Sequence, residues 1–129
     1  MGTMTQATAG SEGLHYWLCD FQSRFNSNAR AAKLAAGWDR QLLIEAVDLP
    51  EKYTLTVAEA RISEIREGGT DPEADERLVT MIADEGTLIE IFSGEYNPSA
   101  ALIDGQLEVY SDSRDKVKLE ALAMVIWGV

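Results

Sequence analysis

Five apolar positions, Leu14, Trp17, Leu18, Phe21 and Phe25, recur at i, i+3, i+4, i+7 and i+11 and therefore share one face of a helix. That face predicts core packing, and Phe21 and Phe25 are the two that could also touch a ligand cavity. Alanine-rich Asn28 to Ala36, closed by Gly37, predicts a short second helix. The period then changes to two. Trp38, Leu42, Ile44 and Ala46 share one register of Trp38 to Asp48, while Leu43 and Val47 fall on the other: a strand with one well-buried and one partly covered face. Leu49-Pro50-Glu51-Lys52 reads as a turn. Tyr53, Leu55 and Val57 then alternate with Thr54 and Thr56 in a second strand, antiparallel to the first. Ala60 to Glu67 is ambiguous, with Ile62 and Ile65 three apart among charged neighbours; it reads as a continuation of the second strand with a bend.

Gly68-Gly69-Thr70-Asp71-Pro72 is a loop by local signals, and Leu78 to Ala83 a short strand. Asp84 is placed to cap a helix running to about Ser93. Gly94 follows as a glycine stop that needs positive φ, Asn97-Pro98 restarts a short helix, and Gly105 ends it. Gln106 to Tyr110 alternates like a strand. Ser111-Asp112-Ser113 offers capping residues for a terminal helix, and Asp115 lies in its first turn, where the helix dipole favours a carboxylate. From Ala121 to Trp127 no residue is charged. A surface helix shows a polar face, so this one is expected to be covered nearly all round, by the sheet, a partner chain or a bound lipid.

Length and charge narrow the classes. A chain of 129 residues is one domain by expectation, here residues 11–129 after a small, polar tail at 1–10 that is either disordered or an expression remnant. Ser11 could cap the first helix. Asp and Glu number 22 against 11 Lys and Arg, a net charge of -11, which repels phosphate backbones and argues against nucleic-acid binding. No apolar run approaches the ~20 residues of a transmembrane helix. Cys19 is the single cysteine, so no internal disulfide forms, and a cytoplasmic location is expected. The N-terminus shows no secretory signal, Gln6 spoils a myristoylation pattern, and Trp127-Gly128-Val129 is not a peroxisomal address.

Candidate chemistry is sparse. His15 and Cys19 stand at i and i+4, the spacing of a nucleophile pair, but no third orienting group is evident. Glu73, Asp75 and Glu76 cluster with Asp71, yet lack the residue order of a calcium loop and read as a solvated acidic turn. Glu59, Glu64, Asp104 and Glu108 are candidate acids for an enzyme, and nothing in the sequence pairs them. No catalytic residue, metal or cofactor is expected.

The stretch Gly94-Glu95-Tyr96-Asn97-Pro98-Ser99-Ala100-Ala101, followed by Gly105 and the strand Leu107 to Val109, resembles the signature of sterol carrier protein type-two domains. The resemblance runs from about Leu78 to Trp127. It implies an α+β fold: a mixed, mostly antiparallel sheet of about five strands, with helices packed on one face around an apolar cavity. It also implies non-catalytic binding or carriage of a fatty acid, acyl-CoA or sterol-like lipid. The lining would come from Met81, Leu88, Phe92, Leu102, Ile103, Leu119, Leu122 and Ile126. The alternative is an interaction module, homodimeric or docked on a partner enzyme, with the cavity filled by side chains. Two departures stand out. Tyr110-Ser111-Asp112 replaces the glycine usual at the corner into the terminal helix. The chain is also acidic where familiar animal carriers are basic, which disfavours transfer by collision with anionic membranes.

Overall fold

A computed structural model describes residues 13–68 and 78–127. The tail at 1–10, the Ser11 cap, residues 69–72 of the glycine loop and the acidic cluster at Glu73, Asp75 and Glu76 lie outside the described residues. In chain order the elements are α1 (Leu14–Asn26), α2 (Ala29–Ala35), β1 (Arg40–Ala46), β2 (Lys52–Ala58), β3 (Arg61–Glu67), β4 (Leu78–Ala83), α3 (Glu85–Phe92), α4 (Pro98–Ile103), β5 (Glu108–Tyr110) and α5 (Ser113–Trp127). The five strands form one sheet in the order β3-β2-β1-β4-β5. β1 and β4 are parallel, and the other neighbours are antiparallel. This is the mixed α+β sheet that the pattern and the resemblance anticipate.

One sheet face carries the core. Leu42 pairs with Leu55 and Val79, and Ile44 with Tyr53 and Met81, so the period-two apolar positions of adjacent strands meet on one side. Leu14, Leu18, Phe21 and Phe25 of α1 are buried against that face, as are Leu88, Ile91 and Phe92 of α3. The opposite face is half-buried, with Thr54 its completely covered member; its hydroxyl donates to the Gly68 carbonyl at 2.8 Å.

A bulge accounts for the ambiguous spacing in β3. Thr56 pairs with Glu64 but Val57 pairs with Ile62, which leaves one extra residue on β3. The extra residue lets Ile62 and Ile65, three apart, both reach the core face. β3 is an edge strand, and side chains of α1 satisfy the Ile62 backbone there. The Asn26 side chain accepts from the Ile62 N–H at 2.8 Å and donates to the Ile62 carbonyl at 2.9 Å, while Gln22 donates to the same oxygen at 2.9 Å. The expected continuation of the second strand through a bend is corrected: the chain reverses into an antiparallel β2–β3 hairpin, turning on Glu59 and Ala60, both at positive φ (56° and 66°), as in a type I′ turn but without glycine or asparagine.

The helix boundaries follow their local chemistry. Asn28, Asp84 and Asn97 each accept from a first-turn N–H, at 3.0, 2.8 and 2.7 Å. Gly94 (φ 97°) and Gly105 (φ 77°) occupy the left-handed region that their corners require. β5 is shorter than the Gln106 to Tyr110 expected. The N–H groups of Gln106 and Leu107 donate instead to the Ala101 carbonyl, at 2.9 and 3.2 Å, closing the end of α4 before the ladder begins.

The expectation for the terminal helix needs correction. Leu122 and Ala123 are buried, but Val117 and Met124 are 66% and 60% exposed. α5 forms a single outer layer, so the turn that points Leu122 inward points Val117 and Met124 away. Among the described residues, no helix is long and apolar enough to cross a membrane.

Candidate functional site

Between the core face of the sheet and the helices lies a partly enclosed cavity of about 170 Å³. Leu42, Val57, Met81 and Val109 form its floor from four different strands. Phe21 and Phe25 of α1 and Phe92 of α3 form one wall. Pro98, Ser99 and Leu102 bring α4 to the opposite side, and α5 closes the top with Leu119, Leu122, Ala123 and Ile126. The lining is overwhelmingly apolar.

Side-chain clamps hold the covering helix at both ends. Asp115, in its first turn, is 2% exposed. Its carboxylate accepts from Trp38 Nε1 at 2.7 Å and from Arg40 Nε at 2.9 and 3.0 Å. Arg40 in turn lies 5.8 Å from the centre of the Trp38 ring. Lys118 donates to the Leu34 carbonyl of α2 at 2.7 Å. At the far end, Trp127 Nε1 donates to the Ile91 carbonyl at 2.7 Å. The Trp127 ring stacks on Phe21 at 5.4 Å, and Phe21 meets Phe92 edge-on at 5.0 Å. Both cavity tryptophans thus spend their N–H groups on protein acceptors, so the interior stays apolar.

Six of the eight expected lining residues, Met81, Phe92, Leu102, Leu119, Leu122 and Ile126, border this cavity. Leu88 and Ile103 do not. Leu88 is completely buried, but α3 reaches the cavity only through its C-terminal end, so Leu88 packs into the core beyond it. Ile103 is 86% exposed. Ala101 takes the buried position of α4, and a residue two further along a helix faces away. The expected lining left out Trp38, Leu42, Val57 and Val109, whose apolar registers were legible, and Ser99, Lys116, Glu120 and Ala123, which sit on helix faces whose partner is fixed only by the fold.

The remaining candidates lie elsewhere. Cys19 Sγ is 3.7 Å from His15 Nε2 on the exposed side of α1, and the His15 ring stacks on Tyr53 at 5.5 Å. Glu59 and Glu64 belong to the β2–β3 edge of the sheet. Glu108 belongs to the other edge strand, β5, and Asp104 to the C-terminal end of α4; Tyr96 donates to Asp104 at 2.6 Å and Tyr110 to Glu108 at 2.7 Å. The hydrogen bond to the Asp104 carboxylate pushes the Tyr96 phenol up to about 12.

Residues 19–124 match the family model of the SCP-2 sterol transfer family. The chain belongs to this family. Among solved structures, a crystal structure of sterol carrier protein 2 superposes with a TM-score of 0.61 at 20% identity, covering 88% of this chain and 95% of that one. A Thermus thermophilus protein described as possibly a sterol carrier protein gives 0.59 at 19% identity, covering 88% and 85%. The sec-alkylsulfatase Pisa1 from Pseudomonas sp. gives 0.55 at 24% identity over 74% of this chain. This chain corresponds to only 14% of that sulfatase's length. No curated protein sequence matches the chain.

Membership in the SCP-2 family extends the likeness from the C-terminal half across β1 to β3. The missing glycine before α5 is accommodated locally. Among the described residues only Glu59 and Ala60 are non-glycine positions with positive φ, so Tyr110-Ser111-Asp112 turns without strain. Asp112 accepts from the Asp115 N–H at 2.9 Å and thereby starts the helix as a cap.

Proposed function

We propose that this SCP-2 family chain is a non-catalytic carrier of a hydrophobic or amphipathic small molecule, held in the cavity beneath α5. The observation that carries the reading is the apolar lining of that cavity, drawn from four strands and four helices. Each methylene buried there contributes about 0.8 kcal/mol before ordering costs. The placement of Glu59 and Glu64 at one edge of the sheet, away from Glu108 on the opposite edge strand, supports a role without catalysis. The exposed thiol of Cys19 favours a reducing, cytoplasmic setting.

Ala123→Phe tests the reading, because Ala123 is buried and lines the cavity. The larger ring occupies ligand space at an overpacking cost of about 1–3 kcal/mol. A fluorescent apolar probe that binds the wild type is expected to bind this variant at least about tenfold more weakly, a loss of roughly 1.4 kcal/mol. A folded wild type that binds no probe and co-purifies with no lipid in native mass spectrometry would overturn the carrier reading.

A second reading rests on the outer face of α5, where Val117 and Met124, two turns apart on one stripe, are exposed. There the helix would dock on a second copy or a partner enzyme. Met124→Glu would then abolish self-association or capture while leaving probe binding intact.

A further inference from the structure

The rim of the cavity suggests which kind of molecule fits, if the carrier reading holds. Three polar side chains border the space besides the two engaged tryptophans: Ser99, Lys116 and Glu120. They do not point alike. At about 100° per residue, Lys116 falls on the stripe of Ala123 and Trp127, both cavity-lining. Glu120, four residues on, lies about 40° further round, between that stripe and the outward one of Val117 and Met124. Lys116 is therefore the charged group closer to the buried side of α5, with Glu120 beside it at the rim. Among the described residues its ammonium has no ion-pair or hydrogen-bond partner. Among the described residues, Ser99 and Lys116 at the rim carry the donors left to a ligand, because Trp38 and Trp127 are already bonded to Asp115 and Ile91. A polar head must then stay at the rim while an apolar tail goes in.

The size of the cavity sets the tail. A space of about 170 Å³ is close to engineered apolar cavities of ~150 Å³ that accept benzene, so it holds roughly six carbon atoms. The charge of the chain sets the route. A net charge of -11 opposes docking on an anionic bilayer, and a short amphiphile dissolves in water without one.

We infer that the cavity takes a short-chain anionic amphiphile from solution, its alkyl tail filling the space beneath α5 and its head paired with Lys116 and the Ser99 hydroxyl. Carboxylate and sulfate-monoester heads share this chemistry. Isothermal titration with octanoate, octyl sulfate, 1-octanol and palmitate below their aggregation concentrations tests it. At least one C8 anion is expected to bind about tenfold or more tightly than 1-octanol, and the tighter anion identifies the head. Lys116→Glu is expected to remove that advantage while leaving 1-octanol within about twofold, and Lys116→Arg to retain it. Lys116 is exposed, and the thermal midpoint verifies that each variant is folded. Anions that bind no better than 1-octanol, an advantage that survives Lys116→Glu, or palmitate binding more than about tenfold tighter than octanoate would each overturn the inference while sparing the carrier reading. Failure of 1-octanol and all three anions to bind would overturn both.

Discussion

Removing the Asp115 carboxylate should loosen the roof of the cavity and destabilise the whole domain. Asp115 is buried and joins α5 to Trp38 and to the start of β1 through three hydrogen bonds of 2.7–3.0 Å. Asp115→Ala leaves the Trp38 N–H without an acceptor, at about 1–3 kcal/mol. It also strands the Arg40 guanidinium, whose side chain is 22% exposed and so recovers some hydration. Breaking a buried ion pair typically costs about 3–5 kcal/mol, and the partial exposure of Arg40 places this one near the lower end, about 3–4 kcal/mol. A domain stable by roughly 5–15 kcal/mol would still fold at room temperature. Its thermal midpoint would drop by about 12–16 °C, at roughly 4 °C per kcal/mol for this chain length. Asp115→Asn retains an acceptor for Trp38 and should lose about half as much. Urea unfolding followed by tryptophan fluorescence reads the change. A double-mutant cycle with Arg40→Ala should return a coupling above about 1 kcal/mol. A loss below about 1 kcal/mol for Asp115→Ala, or no coupling to Arg40, would refute the clamp. Affinity for an apolar probe should fall with stability, because Leu119 lies one turn from Asp115 and lines the cavity.

Asn26→Ala should cost about 1–3 kcal/mol, since it strips two of the three side-chain hydrogen bonds to the Ile62 backbone, the one from its N–H among them; faster amide exchange at Ile62 in the folded protein would localise the effect. Replacing Glu59-Ala60 by Asn-Gly should stabilise by about 1–2 kcal/mol in urea unfolding, because both positions hold positive φ that L-residues with a Cβ resist. Raising the pH above 10 should weaken the fold through Tyr96. Its folded pKa, raised from 10.0 to about 12, means that its contribution is complete below 10 and is lost as the pH climbs from 10 to 12. Tyr96→Phe should flatten the stability profile in that window and remove the latest-ionising phenol from an ultraviolet titration.

The features legible in the sequence were those decided within a few residues. The i, i+3, i+4 spacing of Leu14 to Phe25 fixed a helix face, because helical geometry alone brings those positions together. Asn97-Pro98 and Gly105 set the limits of α4, because a cap closes on an N–H two or three residues away and a positive φ belongs to one residue. The same local patterns marked most of the apolar residues that now line the cavity. They could not separate Leu88 and Ile103 from the rest. Periodicity tells which side of an element is apolar, but not which neighbour or void that side will meet.

Tertiary structure decided the rest, through partners distant in sequence. Asp115 looked like an ordinary first-turn carboxylate until the fold brought it to Trp38 and Arg40, 77 and 75 residues away. Asn26 became the partner of the Ile62 backbone only when α1 packed against the edge strand β3. Glu59-Ala60 carries no turn signal at all, and the pairing of β2 with β3 forces its conformation. The sequence by itself determined which segments are helices or strands and which of their faces are apolar, because those depend on bonds and sterics between near neighbours. Only the fold decided that the faces enclose a space, with Lys116 at its mouth and Asp115 fastening its roof, because a cavity is the gap left when packed surfaces from remote segments do not fully meet.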